Sequence, residues 1–269
     1  MAKLDIKQYV KDRKAEIKRR TELHPGQPSL LILQRGNNPA SNSYIKGKLA
    51  DGAETNIRVD LFKTEDVKQL IWLLREIGPD YSGIIIQEPS GLTNNERKLA
   101  LSLIKDCQDV DGFKITSRHK ACTPAGIMGI IENFYKEDLR GKTVVVVGRG
   151  ELVGKPLIPM LVDVGATVIS CNSKTQPLKD YVQMGDIVIS AAGVPNLITM
   201  DMLKDGAFVI DAGIYVDEKG KLHGDCDPAL YTDIANVKVT PVPGGVGLTT
   251  RLQLMENVLE AHIMKNKEK

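Results

Sequence analysis

The sequence predicts an α/β protein of two domains, the second of which contains a doubly wound parallel sheet. Three observations predict this fold class. Short apolar runs with the length of buried strands alternate with helical stretches. A chain of 269 residues with 42% hydrophobic and 26% charged residues can form one large or two modest cores and is neither disordered nor fibrous. A glycine-rich turn at residues 148–154 follows one of the apolar runs.

The first half of the chain has the alternation expected of a three-layer α/β unit. Residues 5–21 are helical in pattern, and the run SLLILQ at 29–34 is typical of a buried parallel strand. A helix at 42–55 ends at Asn56, which tolerates a left-handed turn at a helix C-terminus, and RVDLF at 58–62 follows as a strand. The remaining elements are predicted as a helix at 64–77, a strand at 83–86 and a helix at 93–104.

The second half is predicted to begin with a helix and to continue as the doubly wound sheet. Thr123 and Pro124 provide a capping hydroxyl and a proline at the first helical position, and this helix extends to Phe134. The strands that follow are predicted at 143–147, 167–171, 186–190 and 206–211. A last helix from residue 249 to about 264 is expected to return to the first domain. The predicted domains are 1–122 completed by 249–269, and 123–248.

Charge and cysteine content argue against several classes of protein. The net charge of +2 arises from 36 basic and 34 acidic residues without a long block of either sign, which does not resemble a nucleic-acid-binding surface. The four cysteines form no Cys-x-x-Cys pair and no cluster with histidine, which favours reduced thiols over disulfides or a metal site. The start of the sequence, MAKLDIKQYVKDRK, lacks a hydrophobic core of signal-peptide length, and no later stretch reaches membrane-spanning length. We therefore expect a soluble cytoplasmic protein without a metal.

The glycine-rich turn GRGELVGKP predicts a dinucleotide site. Its pattern is G-x-G-x-x-x-G, one residue longer than the usual fingerprint, and an ordinary strand-to-helix turn can have it too. Glycine is needed because a pyrophosphate approaches backbone amides at a helix N-terminus, where a side chain would obstruct it. The alternating elements that follow, and a second glycine turn in SAAGVPN, favour the cofactor site. The predicted cofactor contacts here are Gly148, Arg149, Gly150, Val153, Gly154, Ala192 and Gly193.

The end of the second strand of this sheet favours NADP over NAD. An acidic residue that binds a free ribose hydroxyl is expected about 20 residues after the glycine loop, but the sequence there is Cys-Asn-Ser-Lys at 171–174. A 2′-phosphate would be repelled by an aspartate and bound by Ser173, Lys174 and Arg149. Lys174 taken alone fits a solvated surface lysine equally well.

In the first domain, Tyr44 and Lys48 lie four residues apart and therefore on one face of a predicted helix. An aromatic ring beside an ammonium group can stack on a flat substrate while the amine acts on its reacting edge. Taken alone, the pair also fits a surface lysine beside a core tyrosine. Short-chain dehydrogenases carry the same Tyr-x-x-x-Lys spacing, but downstream of an N-terminal glycine loop, whereas this pair lies well upstream of the loop.

Seven segments of the chain are distinctive in combination: NPASNSYIKGK, GIIIQEP, QDVDGF, CTPAGIM, GRGELVGKP, CNSKT and TPVPGGVG. Their order and spacing resemble those of the bifunctional methylenetetrahydrofolate dehydrogenase/cyclohydrolases, and the resemblance covers nearly the whole chain. The resemblance implies that the N-terminal domain with the last helix holds folate, that a Rossmann-type domain holds NADP, and that a catalytic cleft lies between them. It implies NADP-dependent oxidation of 5,10-methylenetetrahydrofolate to 5,10-methenyltetrahydrofolate, and hydrolysis of the latter to 10-formyltetrahydrofolate. It also implies a homodimer formed through the nucleotide domain.

The resemblance assigns roles to residues of the first domain. Tyr44 matches the family's stacking tyrosine and Lys48 its catalytic lysine. Gln87 matches the glutamine near that lysine, and Asp111 the aspartate that binds the pterin ring. A carboxylate can accept hydrogen bonds from the amino-pyrimidine edge of a pterin, and a glutamine amide can orient a lysine and influence its protonation. The predicted folate contacts are Tyr44, Lys48, Gln87, Asp111, Pro243, Gly244 and Gly245.

Some residues depart from the family's usual pattern, and alternative interpretations stay open. The family usually has serine at Gly150, histidine at Asn172, a Leu-Pro-Leu-Pro run at EPSG after Gln87, and Pro-Met at Leu248-Thr249. An Asx-type turn ending at Gly112 is the alternative for Asp109 and Asp111. A different NAD(P)-dependent dehydrogenase would not need Asp111, and a non-catalytic binding relative would not need the intact site residues.

Overall fold

The computed structural model describes residues 4–218, 220–232 and 236–267. The helices are α1 Ile6–Glu22, α2 Pro39–Glu54, α3 Val67–Glu76, α4 Asn94–Ser102, α5 Cys122–Ile130, α6 Gly154–Asp163, α7 Leu178–Val182 and α8 Val246–Lys267. The strands are β1 Ser29–Arg35, β2 Arg58–Thr64, β3 Gly83–Ile86, β4 Thr143–Val147, β5 Thr167–Cys171, β6 Ile187–Ser190, β7 Phe208–Asp211, β8 Tyr215–Val216, β9 Leu222–His223 and β10 Lys238–Val239. The alternation of strands and helices that the sequence predicts is confirmed.

The chain divides into two compact units. The first unit comprises Lys11–Cys122 and the chain from Arg251 onward, and the second comprises Thr123–Thr250 and the chain up to Val10. The segment before Lys11, which the sequence assigned to the first domain, thus belongs to the second unit. One reason is an edge-on aromatic contact between Tyr9 and Phe134, whose ring centroids are 5.8 Å apart. Residues 1–3, 268 and 269 of the predicted domains lie outside the described residues.

In the first unit, three parallel strands form a sheet in the order β2–β1–β3. The central strand β1 is buried along most of its length, which explains its continuous apolar sequence. Helix α3 contributes its leucines to the adjoining core, because the apolar residues recur on one face of the helix. These buried layers hold the carboxyl ends of β1 and β3 side by side.

Helix α2 begins and ends where its local sequence provides the signals. The side chain of Asn38 accepts a hydrogen bond from the Ser41 amide at 3.1 Å, and Pro39 occupies the first turn. Beyond the helix, Asn56 adopts a left-handed conformation with φ of 58°, as the sequence predicts. Helix α2 therefore starts three residues earlier than predicted, since the cap lies upstream of the apolar pattern.

In the second unit, five parallel strands form a sheet in the order β10–β7–β6–β4–β5. The chain adds β5 on one side of β4 and then places β6 on the other, so the direction of winding reverses at β4. Ligands of such sheets bind at the carboxyl ends of the strands near this reversal. Strand β10 was not predicted, because a run of two residues is too short to give a periodic signal.

The starts of α5 and α8 also differ from the prediction. Thr123 lies inside α5, which begins at Cys122, and its hydroxyl is 3.3 Å from that of Thr250 instead of capping the helix. Helix α8 begins at Val246, ahead of the predicted residue 249. Both starts depend on tertiary neighbours, which local capping patterns do not contain.

Candidate functional sites

Lys48 lies on α2 with its side chain turned into the first unit, where the residue is only 5% exposed. Its Nζ atom donates a hydrogen bond to Oε1 of Gln87 at 3.0 Å. The same Nζ atom is 5.4 Å from the ring centroid of Tyr44, one turn earlier on the helix. The structure thus brings three of the predicted site residues into one cluster.

The Gln87 amide is held in a fixed orientation at the carboxyl end of β3. Its backbone amide donates to the carbonyl of Leu33 at 2.9 Å, which continues the sheet ladder past the strand. Its side-chain Nε2 donates to the carbonyl of Glu88 at 2.8 Å, so that the carbonyl end of the amide faces Lys48. An acceptor in this position can orient the lysine amine.

Asp111 interacts electrostatically with Lys48 from the loop between α4 and α5. Burial raises the pKa of the Asp111 carboxyl, while the charge of Lys48 and a hydrogen bond with the Cys122 thiol act in the opposite direction. Burial likewise lowers the pKa of Lys48, against the raising effect of Asp111 and Cys122. The pKa of this lysine therefore lies closer to neutral pH than that of an exposed lysine, as suits a group that moves protons.

The neighbouring Asp109 forms the Asx-type turn that was the alternative interpretation of Asp109 and Asp111. Its Oδ2 accepts a hydrogen bond from the amide of Lys114 at 2.8 Å, and its backbone carbonyl accepts one from Gly112 at 3.1 Å. Gly112 has φ of 72°, and a Cβ atom there would lie 2.6 Å from the amide nitrogen of Ala121. The turn interpretation is therefore correct for Asp109.

The unusual EPSG segment uses its acidic side chain within the first unit. One carboxylate oxygen of Glu88 accepts hydrogen bonds from the amide and the hydroxyl of Ser90, at 2.7 and 3.0 Å. The other accepts a hydrogen bond from Nε of Arg97 at 3.1 Å. The charge of Glu88 is thus partly compensated by Arg97.

In the second unit, two of the three loop glycines are required by the backbone. Gly148 has φ of 110°, and a Cβ atom there would lie 2.3 Å from the carbonyl oxygen of Ala191. A Cβ atom at Gly154, the first residue of α6, would lie 1.9 Å from the carbonyl oxygen of Gly148. A Cβ atom at Gly150 would meet nothing within 4 Å. The backbone of the loop therefore leaves no room for side chains at positions 148 and 154.

A cavity of about 400 Å³ opens at the carboxyl ends of the strands around the winding reversal. Its lining comes from the loops after β4, β6 and β7: Gly150, Glu151, Leu152, Val153, Ala191, Ala192, Gly193, Ala212, Gly213 and Ile214. Four predicted cofactor residues are among these, namely Gly150, Val153, Ala192 and Gly193. Gly148, Arg149, Gly154, Ser173 and Lys174 are not. The loop after β7 was missed, although Gly213 lies two residues after the end of an apolar strand, and a glycine soon after a strand was the signal in the other two loops.

Two buried aspartates hold the loops after β6 and β7, and neither was predicted from the sequence. Asp225 is fully buried, and its carboxylate accepts hydrogen bonds from the amides of Ala192 and Val194 at 2.8 and 2.9 Å. Asp211 accepts hydrogen bonds from the amides of Gly213 and Asp225, both at 3.0 Å. Burial raises the pKa of Asp225, and the nearby charge of Asp211 adds to this effect. The backbone of the cavity is therefore fixed by charged acceptors.

Basic and hydroxyl groups lie exposed near the end of β5. Nε of Arg149 donates to the Ser170 hydroxyl at 2.8 Å, which directs the guanidinium toward this strand. The side chain of Asn172 accepts a hydrogen bond from the amide of Lys174 at 2.9 Å and so shapes the turn that exposes Ser173 and Lys174. Asn172 thus has a structural role at the position where a histidine was expected.

The segment of Pro243, Gly244 and Gly245 lies in the second unit, immediately before α8. Gly244 has φ of 108°, and a Cβ atom at Gly245 would lie 2.5 Å from the carbonyl oxygen of Pro241. Both glycines are therefore required by the turn itself. The folate contact assigned to this segment stays a prediction.

Two kinds of feature are absent from residues 4–218, 220–232 and 236–267. None of the helices there combines the length and the apolar sequence needed to cross a membrane. Within the same ranges, no three histidine, cysteine, aspartate or glutamate residues are grouped so that they could hold a metal ion.

Comparison with known families gives two adjoining matches. Residues 4–111 match the family described as "Tetrahydrofolate dehydrogenase/cyclohydrolase, catalytic domain". Residues 121–266 match "Tetrahydrofolate dehydrogenase/cyclohydrolase, NAD(P)-binding domain". Together the two matches span nearly all of the chain.

Individual relatives agree with these matches. The "Bifunctional protein FolD" of Acidovorax sp. (strain JS42) is 38% identical, and the match covers 87% of this chain and 87% of that protein. The crystal structure of the bifunctional enzyme FolD-methylenetetrahydrofolate dehydrogenase/cyclohydrolase from Campylobacter jejuni superposes with a TM-score of 0.89 at 32% identity, covering 98% of this chain and 99% of that one. The Trypanosoma brucei N5,N10-methylenetetrahydrofolate dehydrogenase-cyclohydrolase (FolD), complexed with NADP cofactor and inhibitor, superposes with a TM-score of 0.88 at 28% identity, covering 99% of both chains.

Proposed function

The chain belongs to the tetrahydrofolate dehydrogenase/cyclohydrolase family, and we propose that the residues described above carry out both reactions of that family. The enzyme oxidises 5,10-methylenetetrahydrofolate to 5,10-methenyltetrahydrofolate with NADP and hydrolyses this product to 10-formyltetrahydrofolate. The observation that carries the residue assignment is the buried Lys48 amine, hydrogen-bonded to Gln87 and placed over the ring of Tyr44. A buried lysine with these partners suits proton transfer at a flat ligand.

The glycine loop and its cavity fit NADP. The absence of side chains at Gly148 and Gly154 lets backbone amides approach a pyrophosphate at the start of α6. NADP supplies a hydride acceptor when bound. The dehydrogenase step requires no proton transfer from the protein, so the loops held by Asp225 and Asp211 contribute by binding and positioning.

Hydrolysis requires proton transfer, and Lys48 is the group that performs it. Water must lose a proton as it adds to the methenyl carbon, and a ring nitrogen must gain one as it leaves. The neutral amine of Lys48 accepts one proton of the water and, as the ammonium, donates it to the leaving nitrogen. The remaining hydroxyl proton is released to solvent as the C–N bond breaks and the formyl C=O bond forms. Gln87 orients the amine through its carbonyl oxygen.

We propose that Asp111 and Tyr44 bind the pterin ring of the substrate. The Asp111 carboxylate offers acceptors to the donors of the amino-pyrimidine edge, and the Tyr44 ring offers a face for stacking. The position of Asp111 next to Lys48 supports this assignment, because one flat ligand could then contact both groups.

Replacing Asp111 with asparagine is expected to weaken folate binding. The amide presents donors where the pterin also presents donors, at a cost of about 1–3 kcal/mol, which is roughly 5- to 150-fold in Kd. Titration of the enzyme with a folate ligand measures the change. Asp80→Asn, at an exposed carboxylate of the same unit, is the matched control and is expected to bind as the parent does. An unchanged Kd in Asp111→Asn would leave Asp111 without a role in binding.

We propose that Arg149, Ser173 and Lys174 bind the 2′-phosphate of NADP. Their exposure near the end of β5, and the lack of a carboxylate in 171–174, support this assignment. Arg149 is the strongest candidate, because a guanidinium forms paired hydrogen bonds with a phosphate.

Replacing Arg149 with alanine is expected to raise the KM for NADP about tenfold or more, since each charge-assisted hydrogen bond contributes about 1.5–3 kcal/mol. NAD, which lacks the phosphate, is expected to be used as before. The ratio of kcat/KM for the two cofactors, in the parent and the variant, measures this specificity. Arg140→Ala, at an exposed arginine before β4, is the control. A parent that prefers NAD, or a variant that loses both cofactors equally, would contradict the assignment.

We further propose a division of roles between the units and a cytoplasmic homodimer. The first unit binds folate and the second binds NADP, as the separate matches to a catalytic and an NAD(P)-binding domain support. The homodimer and the location follow from the sequence resemblance. Light scattering after size-exclusion chromatography tests the dimer, and cell fractionation tests the location.

One assay tests the function as a whole. Methylenetetrahydrofolate and NADP are added to the enzyme, and the absorbances of NADPH and methenyltetrahydrofolate are followed together. We expect NADPH to accumulate while methenyltetrahydrofolate rises and then falls. Binding of both ligands without turnover would indicate a non-catalytic relative, and NADP reduction only with other substrates would indicate a different dehydrogenase.

A further inference from the structure

Arg251 on α8 lies across Gly47 on α2. A Cβ atom at Gly47 would lie 2.2 Å from Nη1 and 2.7 Å from Cζ of Arg251. The guanidinium therefore occupies the space that a side chain at position 47 would take. This places a positive charge against the helix surface one residue before Lys48.

Asp51 holds the guanidinium in this position. Its Oδ2 accepts a hydrogen bond from Nε of Arg251 at 2.7 Å, and its other oxygen pairs with the ammonium of Lys14. The Asp51 residue is only 2% exposed, so both contacts are shielded from solvent on the carboxylate side. Since Asp51 lies one turn after Gly47, the arginine side chain follows the surface of α2.

The groups that act on the Lys48 amine come from helices α2, α5 and α8 and from the segments after β3 and α4. The carbonyl oxygen of Gln87, after β3, accepts a hydrogen bond from the amine, and the Tyr44 ring on α2 presents its face to it. Both contacts favour the charged form of Lys48. Asp111 and Cys122 raise the pKa of Lys48. Burial has the largest influence and lowers the pKa of Lys48; Arg251 on α8 acts in the same direction, with a smaller effect than Asp111 and Cys122.

We propose that Arg251 is a positioning residue for hydrolysis, whose charge shifts the Lys48 amine toward its neutral, proton-accepting form, and that Asp51 holds it in place. The proposal rests on the proposed role of Lys48 in proton transfer. Arg251 touches neither water nor substrate in this scheme. Lys48 takes the proton of the attacking water and returns it to the leaving nitrogen.

The test is the pH dependence of methenyltetrahydrofolate hydrolysis in Arg251→Met, which removes the charge and keeps the length of the side chain. Loss of a nearby positive charge favours the ammonium, so the neutral amine forms only at higher pH. We expect the rising limb of the pH–rate profile to move to higher pH and the rate at pH 7 to fall about threefold or more. At high pH the rate is expected to return to that of the parent. Arg251→Lys, which keeps a charge, is expected to lie closer to the parent.

Gly47→Ala tests the position of the charge without removing it. The added methyl group would displace the flexible end of Arg251, and alanine is favoured over glycine inside a helix. We expect this variant to shift the profile in the same direction as Arg251→Met. Arg58→Met, at an exposed arginine of the same unit, is the control and is expected to leave the profile unchanged.

A second measurement does not depend on catalysis. Acetylation of Lys48 by acetic anhydride, followed by mass spectrometry across the pH range, reports the neutral fraction of this amine. We expect its midpoint to rise in Arg251→Met and in Gly47→Ala. A rate that falls equally at every pH, with an unchanged acetylation midpoint, would show a merely structural role and overturn the proposal.

The experiments distinguish a failure of the inference about Arg251 from a failure of the proposed role of Lys48. If Lys48→Met stops hydrolysis but the Arg251→Met profile and acetylation midpoint match the parent, the inference about Arg251 is wrong and the proposed function stands. If Lys48→Met hydrolyses at the parental rate, the proposed role of Lys48 is wrong and the inference falls with it, whatever the acetylation midpoint shows.

Discussion

Replacing Lys48 with methionine is expected to abolish hydrolysis of methenyltetrahydrofolate while hydride transfer to NADP continues at a measurable rate. A thioether cannot accept or donate a proton, and general acid–base catalysis contributes about 10²- to 10⁴-fold to such reactions. We therefore expect the hydrolysis rate to fall by about this factor. The dehydrogenase step needs no proton transfer, so it loses only what Lys48 contributes to binding.

The measurement separates the two activities in one enzyme preparation. Hydrolysis is followed by the decay of added methenyltetrahydrofolate, and hydride transfer by NADPH formation from methylenetetrahydrofolate. Lys46→Met is the matched control, because Lys46 is an exposed lysine two residues earlier and points away from the face of α2 that carries Lys48. Equal hydrolysis rates in the parent and Lys48→Met would remove this lysine from the mechanism. Equal losses of both activities would indicate a role in binding.

Replacing Gly154 with alanine is expected to remove most NADP binding. The new Cβ atom would lie 1.9 Å from the carbonyl oxygen and 2.8 Å from the carbonyl carbon of Gly148, so the backbone of the loop must move. Overpacking of this kind costs about 1–3 kcal/mol, and the overlap with backbone on a fixed loop places it at the upper end. We expect the Kd for NADP to rise about a hundredfold.

Gly150→Ala provides the matched control in the same loop. A Cβ atom there meets nothing within 4 Å, and the resembled family usually carries serine at this position. We expect NADP binding close to that of the parent, measured for both variants by fluorescence titration. Thermal unfolding establishes that the variants are folded. Similar Kd values for Gly154→Ala and the parent would contradict the steric account of the loop.

Much of the fold could be predicted because its signals are local. Strands β4 and β5 have the predicted bounds, since β4 contains a run of four valines and β5 begins with three β-branched residues. The left-handed Asn56 was predicted from residue type alone. Strand β10 and the start of α8 were not predicted, because two-residue pairing and helix extension depend on neighbours that are remote in sequence.

The candidate sites also contain some residues that local sequence signals or the family resemblance predict, and others that depend on contacts remote in sequence. Tyr44 and Lys48 could be paired from their spacing on one helix, and Gln87 and Asp111 were assigned from the family resemblance. The cavity loop after β7 was missed. Asp225, which holds the loop after β6, was also missed, because a buried aspartate far along the chain carries no local sign of the amides that it accepts.

The sequence by itself determined the alternating elements, the glycine loop, the absence of a carboxylate after β5, and the family to which the chain belongs. Only the tertiary structure decided that Gly148 and Gly154 are required while Gly150 is free of contacts. It alone placed Arg251 across Gly47 and paired it with Asp51, 200 residues away along the chain. The physical reason is that propensity, capping and periodicity act within a few turns of the chain. Steric exclusion and the electrostatics of buried groups depend on which distant elements pack together.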